Sequence, residues 1–430
     1  MAEVLCAVPL MAGAQTVEPT RAGTPAHWGI AAEGKAGRVL VMDKYQAKWQ
    51  RGRDMGSAVV AATRAYLPCD SDAFAADFGY PTITLGARVD FYRGVTTHRD
   101  ADPAWGLLVP VDYDSRVGNM FTLYAAFNRP LLRTRRWQVD YQLGCGVGFT
   151  GTTYNKTDGI DNELIGSPVN IFFVAGVAAT YAVTPAWGIT LGVEYAHHSN
   201  GALARPNKGI NTLGPVVGVQ YMPYAEEVYV TRRSFSPARF KPYWYADVQV
   251  GAGAKTLLED WLVTQYATPP EAADYRTEDF TTYFAWSLSA SAMYRYQRRW
   301  ASGLGIDLFH GAYADRVAAI DASEGRNLPH SPWSVGLAAC HEVFFGRFSA
   351  AMSLGAYLYR HMGWRAKYNE KRYYERIGVR YRPFGDKAEH QAGWRSVLAG
   401  ISLGFNVNAH ATKADYTELV LSVPLVWRQR

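Results

Sequence analysis

The sequence predicts an all-β protein, a transmembrane antiparallel β-barrel of about sixteen strands in two similar eight-stranded halves. Three observations lead there. Apolar and polar residues alternate with period two over runs of about 12–16 residues. A strand of a soluble protein averages about 5–6 residues, whereas a tilted membrane-spanning strand needs about 9–11. The chain is 48% hydrophobic and 14% aromatic and only 19% charged, yet no run of 18 apolar residues exists. The apolar surface a membrane demands is therefore present, but hidden in alternation rather than gathered into helices. Finally, long polar connections alternate with very short ones, the habit of outer-membrane barrels. This composition excludes a disordered chain and a helical membrane protein. A net charge of +6 suits an anionic partner such as lipid phosphates, and nothing points to nucleic acid.

The elements follow in order along the chain. Residues 1–14 read as a truncated signal segment, apolar from Val4 to Met11 and ending in Ala12-Gly13-Ala14 before Gln15. The strand runs of the first half, residues 25–223, lie near 25–42, 56–68, 81–94, 119–132, 137–150, 170–184, 187–200 and 210–223. Trp137 to Phe149 shows the rule: Trp137, Val139, Tyr141, Leu143, Cys145, Val147 and Phe149 share one face, and Gln138, Asp140, Gln142 and three glycines share the other. One side of such a strand sits in oil. A polar linker covers 224–243. The second half, 244–430, has runs near 244–257, 283–297, 300–314, 333–346, 348–360, 373–385, 396–411 and 415–428.

Long connections fall at 95–118, 151–169, 258–282, 315–332 and 361–372, and short links at 133–136, 184–186, 298–299 and 347. Counted from the N-terminus, both termini fall on the short-turn, periplasmic side. Tyr and Trp recur near strand ends as an interfacial girdle would. The halves resemble each other: Leu85-Gly86 to Arg93-Gly94 matches Leu304-Gly305 to His310-Gly311. Duplication of an eight-stranded unit explains this, and the pattern is equally consistent with one sixteen-stranded barrel or two tandem eight-stranded ones. Cys6, Cys69, Cys145 and Cys340 are far apart and form no metal-binding spacing.

One segment carries chemistry. Trp187, Ile189, Leu191, Val193 and Tyr195 mark the outward face of the seventh run, and His197 and Ser199 continue that series. On the eighth run Asn211 belongs to the outward series of Leu213, Val217 and Val219. A His, a Ser and an Asn on the oil side of adjacent strands are costly unless functional. A serine becomes a nucleophile when an imidazole takes its proton, and a third group must hold the imidazole. Asn207, with Asn200 and the Gly201 backbone, can donate to an oxyanion. Arg205 and Lys208 can hold anionic phosphate.

This segment closely resembles the lipid A 3-O-deacylase (PagL-type) family of outer-membrane acyl hydrolases. The family pattern is His-x-Ser-Asn, then Pro-Asn-x-Gly, then an acidic residue on the next strand. Here it reads His197-His198-Ser199-Asn200, Pro206-Asn207-Lys208-Gly209, then Ile210-Asn211. The resemblance covers residues 25–223. It implies an eight-stranded barrel in the outer membrane of a Gram-negative bacterium, working at the outer leaflet on an ester-linked acyl chain of lipid A within lipopolysaccharide. It also implies His197 as general base, Ser199 as nucleophile, Asn207 in the oxyanion hole, and no metal or cofactor. One departure matters: where the family has Glu, this chain has Asn211, which can orient His197 through its carbonyl but cannot offset imidazolium charge.

Other motifs read as structure. His198 faces the lumen with Glu194. Gly400-Ile-Ser402-Leu-Gly404 matches a nucleophile elbow in letters, but it sits within an alternating strand rather than at a strand-turn-helix corner. In the second half Ser402, Gly404, Asn406 and His410 fall on the polar face opposite Leu403 and Phe405, so no second active site is expected there. Two rival readings remain: a non-catalytic outer-membrane barrel, pore or structural, on the deacylase scaffold, and a soluble all-β binding protein, which strand length and outward aromatics disfavour. The sequence fixes no oligomeric state.

Overall fold

The computed structural model describes residues 27–105, 107, 109–223, 235–385, 397–398, 400–411 and 413–427. The signal segment 1–14, Cys6 and residues 224–234 of the linker lie outside the described residues.

The first eight runs form strands β1 (His27–Val39), β2 (Asp54–Ala65), β3 (Thr82–Gly94), β4 (Met120–Arg133), β5 (Trp137–Phe149), β6 (Val169–Ala182), β7 (Trp187–Ser199) and β8 (Ile210–Tyr221). Each pairs antiparallel with its sequence neighbour, and β8 pairs with β1 from Ile30↔Tyr221 to Val39↔Thr212, closing an eight-stranded barrel. The second eight are β9 (Tyr243–Thr256), β10 (Thr282–Gln297), β11 (Trp300–Gly311), β12 (His330–Phe345), β13 (Phe348–Met362), β14 (Tyr373–Tyr381), β15 (Ser402–His410) and β16 (Lys413–Trp427). These close separately, β16 onto β9 from Trp244↔Trp427 to Ala254↔Thr417. The all-β barrel expectation holds, and the choice left open by the sequence resolves to two eight-stranded barrels. Among the described residues no helix is long and apolar enough to cross a membrane, which says nothing of crossing by strands.

Strand alternation now has its physical cause. On β7, Trp187, Ile189, Leu191 and Val193 are exposed on the outer face, while Gly188, Thr190 and Glu194 are buried. In β2 Val60 is 67% exposed between buried Val59 and Ala61. Such an outer face is stable only in a solvent as apolar as itself. Eight strands leave a lumen just wide enough for side chains to fill, and charged networks fill it. In the first barrel Arg88 bridges Glu194 at 2.6 Å and Asp90 at 2.7 Å, and Lys35 reaches Glu194 at 3.2 Å. In the second barrel Arg376 meets Asp307 at 3.2 Å, Arg380 meets Asp247 at 3.0 Å, and Asn406 and Ser287 both donate to Glu418.

The long connections hold local structure that the alternation does not reveal. Thr96–Thr97 pairs with Ser115–Arg116, and helices cover Leu258–Leu262, Ala314–Ser323 and Gly363–Tyr368. The link between β2 and β3 carries a short helix, Ala73–Asp77, capped by Asp72, whose Oδ1 accepts from the Ala75 N–H at 2.8 Å.

Candidate active site

Register builds the site. Asn211, near the start of β8, lies directly opposite His197 on β7, and the next two positions on β7 bring Ser199 to the same face. Directly opposed side chains start about 4.5–5.5 Å apart at Cβ, which is hydrogen-bonding reach for Asn and His. The structure brings the three together. His197 Nδ1 lies 2.8 Å from Asn211 Oδ1, and His197 Nε2 lies 2.9 Å from Ser199 Oγ. With Nδ1 carrying the proton and donating to the amide oxygen, Nε2 keeps its lone pair for the serine hydroxyl.

The face is outward, as the odd series of β7 predicts, yet the triad is not open to its surroundings: Ser199 is only 9% exposed. Gly209 passes over it. A Cβ at Gly209 would stand 2.9 Å from His197 Cε1 and 3.3 Å from Ser199 Cβ, and its φ of +74° is left-handed. Only glycine meets both demands without strain.

A side chain the sequence reading missed joins the triad. Tyr195, two residues before His197 on the same face, donates its hydroxyl to Asn211 Oδ1 at 2.5 Å. In sequence it looks like one more outward aromatic. The signal lies in the register, because Tyr195 is the diagonal cross-strand neighbour of Asn211.

Loops lock the strand ends. The main chain of Lys208 donates to Glu163 O at 3.1 Å, and that of Gly209 to Leu164 O at 3.0 Å. The Glu163 side chain accepts from Tyr45 at 2.6 Å and pairs with Arg99 at 3.0 Å, and Arg99 also holds Asp161 at 2.9 Å. Burial pushes the Glu163 carboxyl above its usual pKa, against the opposing pull of Arg99 and of the Tyr45 hydroxyl.

The remaining predicted residues are placed as follows. Asn200 follows β7 and is buried. Lys208 pairs with Asp43 at 2.5 Å and lies over the Tyr45 ring. Gly201, Arg205 and Asn207 group with the second compact unit. There Arg205 donates Nε and Nη2 to Thr256 O at 3.1 and 2.9 Å, and burial lowers its pKa to about 10. Both predicted phosphate-binding cations thus have protein partners, which a sequence cannot display. His198 faces the lumen, 3.0 Å from Thr122 Oγ1 and packed against Phe172.

The geometry can be set beside known proteins. Residues 102–220 match the family model "Lipid A 3-O-deacylase (PagL)", and residues 244–426 match "Acyloxyacyl hydrolase, C-terminal domain". No curated protein matches the chain. Among solved structures, Pseudomonas aeruginosa OccK11 (OpdR) is 10% identical, with 94% of this chain and 96% of that chain covered and a TM-score of 0.20. Acinetobacter baumannii OccAB2 is 11% identical, with coverages of 94% and 98% and a TM-score of 0.23. The two family models together span well over half of the sequence, and the chain belongs to the lipid A 3-O-deacylase (PagL) family of outer-membrane barrel hydrolases.

Proposed function

We propose that this protein is a serine esterase that removes an ester-linked acyl chain from lipid A at the outer leaflet. The observation that carries the reading is the unbroken hydrogen-bond chain Asn211–His197–Ser199 on the lipid-facing side of a barrel. An ester of a membrane lipid reaches a nucleophile there without leaving the bilayer.

In the proposed cycle Ser199 Oγ attacks the ester carbonyl carbon while His197 Nε2 takes its proton. Asn211 Oδ1 holds the Nδ1 proton and so fixes the productive tautomer. Asn200, which directly follows Ser199, supplies a donor to the oxyanion; the family pattern also assigns Asn207 to that task. Collapse of the tetrahedral intermediate breaks the C–O bond, and His197 returns the proton to the departing sugar hydroxyl. Water, activated by the same imidazole, then releases the fatty acid and restores Ser199. Lys208 is the cation assigned to a lipid A phosphate, which would share or displace its present partner Asp43.

Mass spectrometry of lipid A from a Gram-negative host expressing the chain, beside a Ser199→Ala control, tests the reading. Loss of one acyl chain only when Ser199 is present is the expected result, and the mass lost names the chain. Identical spectra, with both proteins folded in the outer membrane, would replace it with a non-catalytic barrel on the deacylase scaffold.

A further inference from the structure

At the end of the first barrel opposite the triad, three side chains of different chemistry converge. His27 opens β1 and pairs in register with Ala65 at the end of β2. The chain then turns through Pro68–Asp70, where the Leu67 N–H donates to Asp70 Oδ2 at 2.7 Å. That turn brings Cys69 and Asp70 back to His27. Cys69 Sγ lies 3.6 Å from His27 Nε2, and Asp70 Oδ1 lies 3.4 Å from the same nitrogen. The three donor atoms all fall within 4.8 Å of one another.

These spacings have a chemical meaning. A tetrahedral zinc ion holds thiolate at about 2.3 Å, and imidazole and carboxylate at about 2.0–2.2 Å. At the tetrahedral angle, sulfur and nitrogen then stand about 3.5 Å apart, and nitrogen and oxygen about 3.3 Å apart. The two separations from His27 Nε2 match edges of that polyhedron, and the Cys69–Asp70 edge, within 4.8 Å, closes to one with a side-chain rotation. The donor set also selects the metal: thiolate with imidazole favours Zn²⁺ over the oxygen-seeking Mg²⁺ and Ca²⁺. The Leu67 N–H on Asp70 Oδ2 orients the carboxylate as an outer-shell partner would.

A second cluster sharpens the choice. Glu370, His410 and Asp415 also gather in the second barrel. Their carboxylates already have cations: Arg360 lies 2.6 Å from Glu370, and Lys255 pairs with Asp415. A divalent ion there would meet two positive charges.

We propose that His27, Cys69 and Asp70 form a site for a divalent zinc-like ion, with water as the fourth ligand. On binding, the Cys69 thiol loses its proton to solvent and the thiolate bonds the metal, while His27 binds as neutral imidazole and Asp70 as carboxylate. The ion ties the first residue of β1 to the turn between β2 and β3, clipping the strand on which the barrel closes. Spacing in sequence hides this site, because His27 and Cys69 are 42 positions apart.

The test is Co²⁺ titration of the full chain refolded in detergent, with folding checked by heat-modifiable gel migration. The wild type should take up one equivalent, with a thiolate-to-cobalt charge-transfer band and tetrahedral d–d bands that Zn²⁺ abolishes. Cys69→Ser should lose the charge-transfer band, and His27→Gln and Asp70→Asn should each bind at least about tenfold more weakly. Cys6→Ser, Cys145→Ser and Cys340→Ser should titrate like the wild type. X-ray absorption of the zinc-loaded wild type, which needs no variant to fold, should show one sulfur and a remainder of nitrogen and oxygen. A titration that Cys69→Ser leaves unchanged, or a wild type with no bound sulfur, would overturn the proposal and leave a His27–Asp70 ion pair beside a thiol.

Discussion

Tyr195 and His197 converge on one atom: both reach Asn211 Oδ1, the phenol at 2.5 Å and the imidazole Nδ1 at 2.8 Å. Two donors on one amide oxygen decide which way the amide points, since its NH₂ end could accept neither. Where the family pattern has a carboxylate with two oxygens, this chain has one oxygen held by two groups.

Asn211 therefore orients His197 without countering its charge. Asn211→Glu should raise kcat for ester cleavage by on the order of tenfold or more, and Asn211→Ala should lower it by at least about a hundredfold, up to the roughly 10⁴ that a wrong tautomer costs a serine triad. Initial rates on a lipid A substrate in detergent measure both. A glutamate variant slower than wild type would mean that the site has been rebuilt around the amide.

In the proposed site Tyr195 positions Asn211, so its removal should act on turnover. A hydrogen bond of this kind contributes about 0.5–1.5 kcal/mol, so Tyr195→Phe should reduce kcat by about 2–13-fold with KM unchanged. In the Asn211→Glu background the effect should shrink, because a carboxylate needs no help to present an acceptor. A change confined to KM would instead assign Tyr195 to lipid contact.

Gly209 offers a test of crowding. Left-handed backbone costs a non-glycine residue about 1–3 kcal/mol wherever it occurs. Gly209→Ala adds a Cβ 2.9 Å from His197 Cε1, whereas Gly325→Ala carries a similar φ of +72° with nothing within 4 Å. The first should lose at least about tenfold in kcat through displacement of the imidazole. The second should cost stability and leave the rate alone. Equal rates for the two variants would show that the imidazole accommodates the methyl.

One carboxyl in a connection of the second barrel is held in its charged form by three partners. Asp321, in the helix Ala314–Ser323, is partly desolvated, which works against its charge, but His330 at 2.9 Å, the Trp364 N–H at 3.0 Å and Arg326 at 3.1 Å prevail and hold its pKa below the usual value. A depressed carboxyl adds stability above its unfolded pKa of about 3.9 and loses it as pH falls through the folded value. Hydrogen-exchange protection in that helix, taken relative to the intrinsic rate at each pH, should therefore fall as the solution is acidified below about pH 4. Asp321→Asn should exchange faster at neutral pH and show a flatter acid dependence. An unchanged acid profile in the variant would move the sensitivity to another carboxyl.

Much of the fold is legible in the sequence. Fifteen of the sixteen strands follow the alternation to within about four residues, because oil on one side and packed polar groups on the other favour that pattern. The run expected at 396–411 begins only at Ser402, with residues 397, 398 and 400 helical, so Gly400 to Gly404 lies at a helix-to-strand junction and not within a strand. Whether Tyr221 returns to β1 or passes on to a ninth strand is set by pairing between distant segments, and period two is blind to that. His197 and Ser199 are readable because polar letters interrupt an apolar series. Tyr195 does not interrupt it, so its hydroxyl goes unnoticed. Arg205 and Lys208 announce their charge in sequence, but Thr256 O and Asp43, which take it up, are visible only in three dimensions.

The ion pairs strung across each lumen have a consequence beyond stability. Arg88, Glu194, Asp90 and Lys35 in one barrel, and Arg376, Asp307, Arg380 and Asp247 in the other, stand where a column of water would have to pass. A bilayer carrying this protein should show no added conductance. Many copies can then sit in one membrane without opening a leak through it.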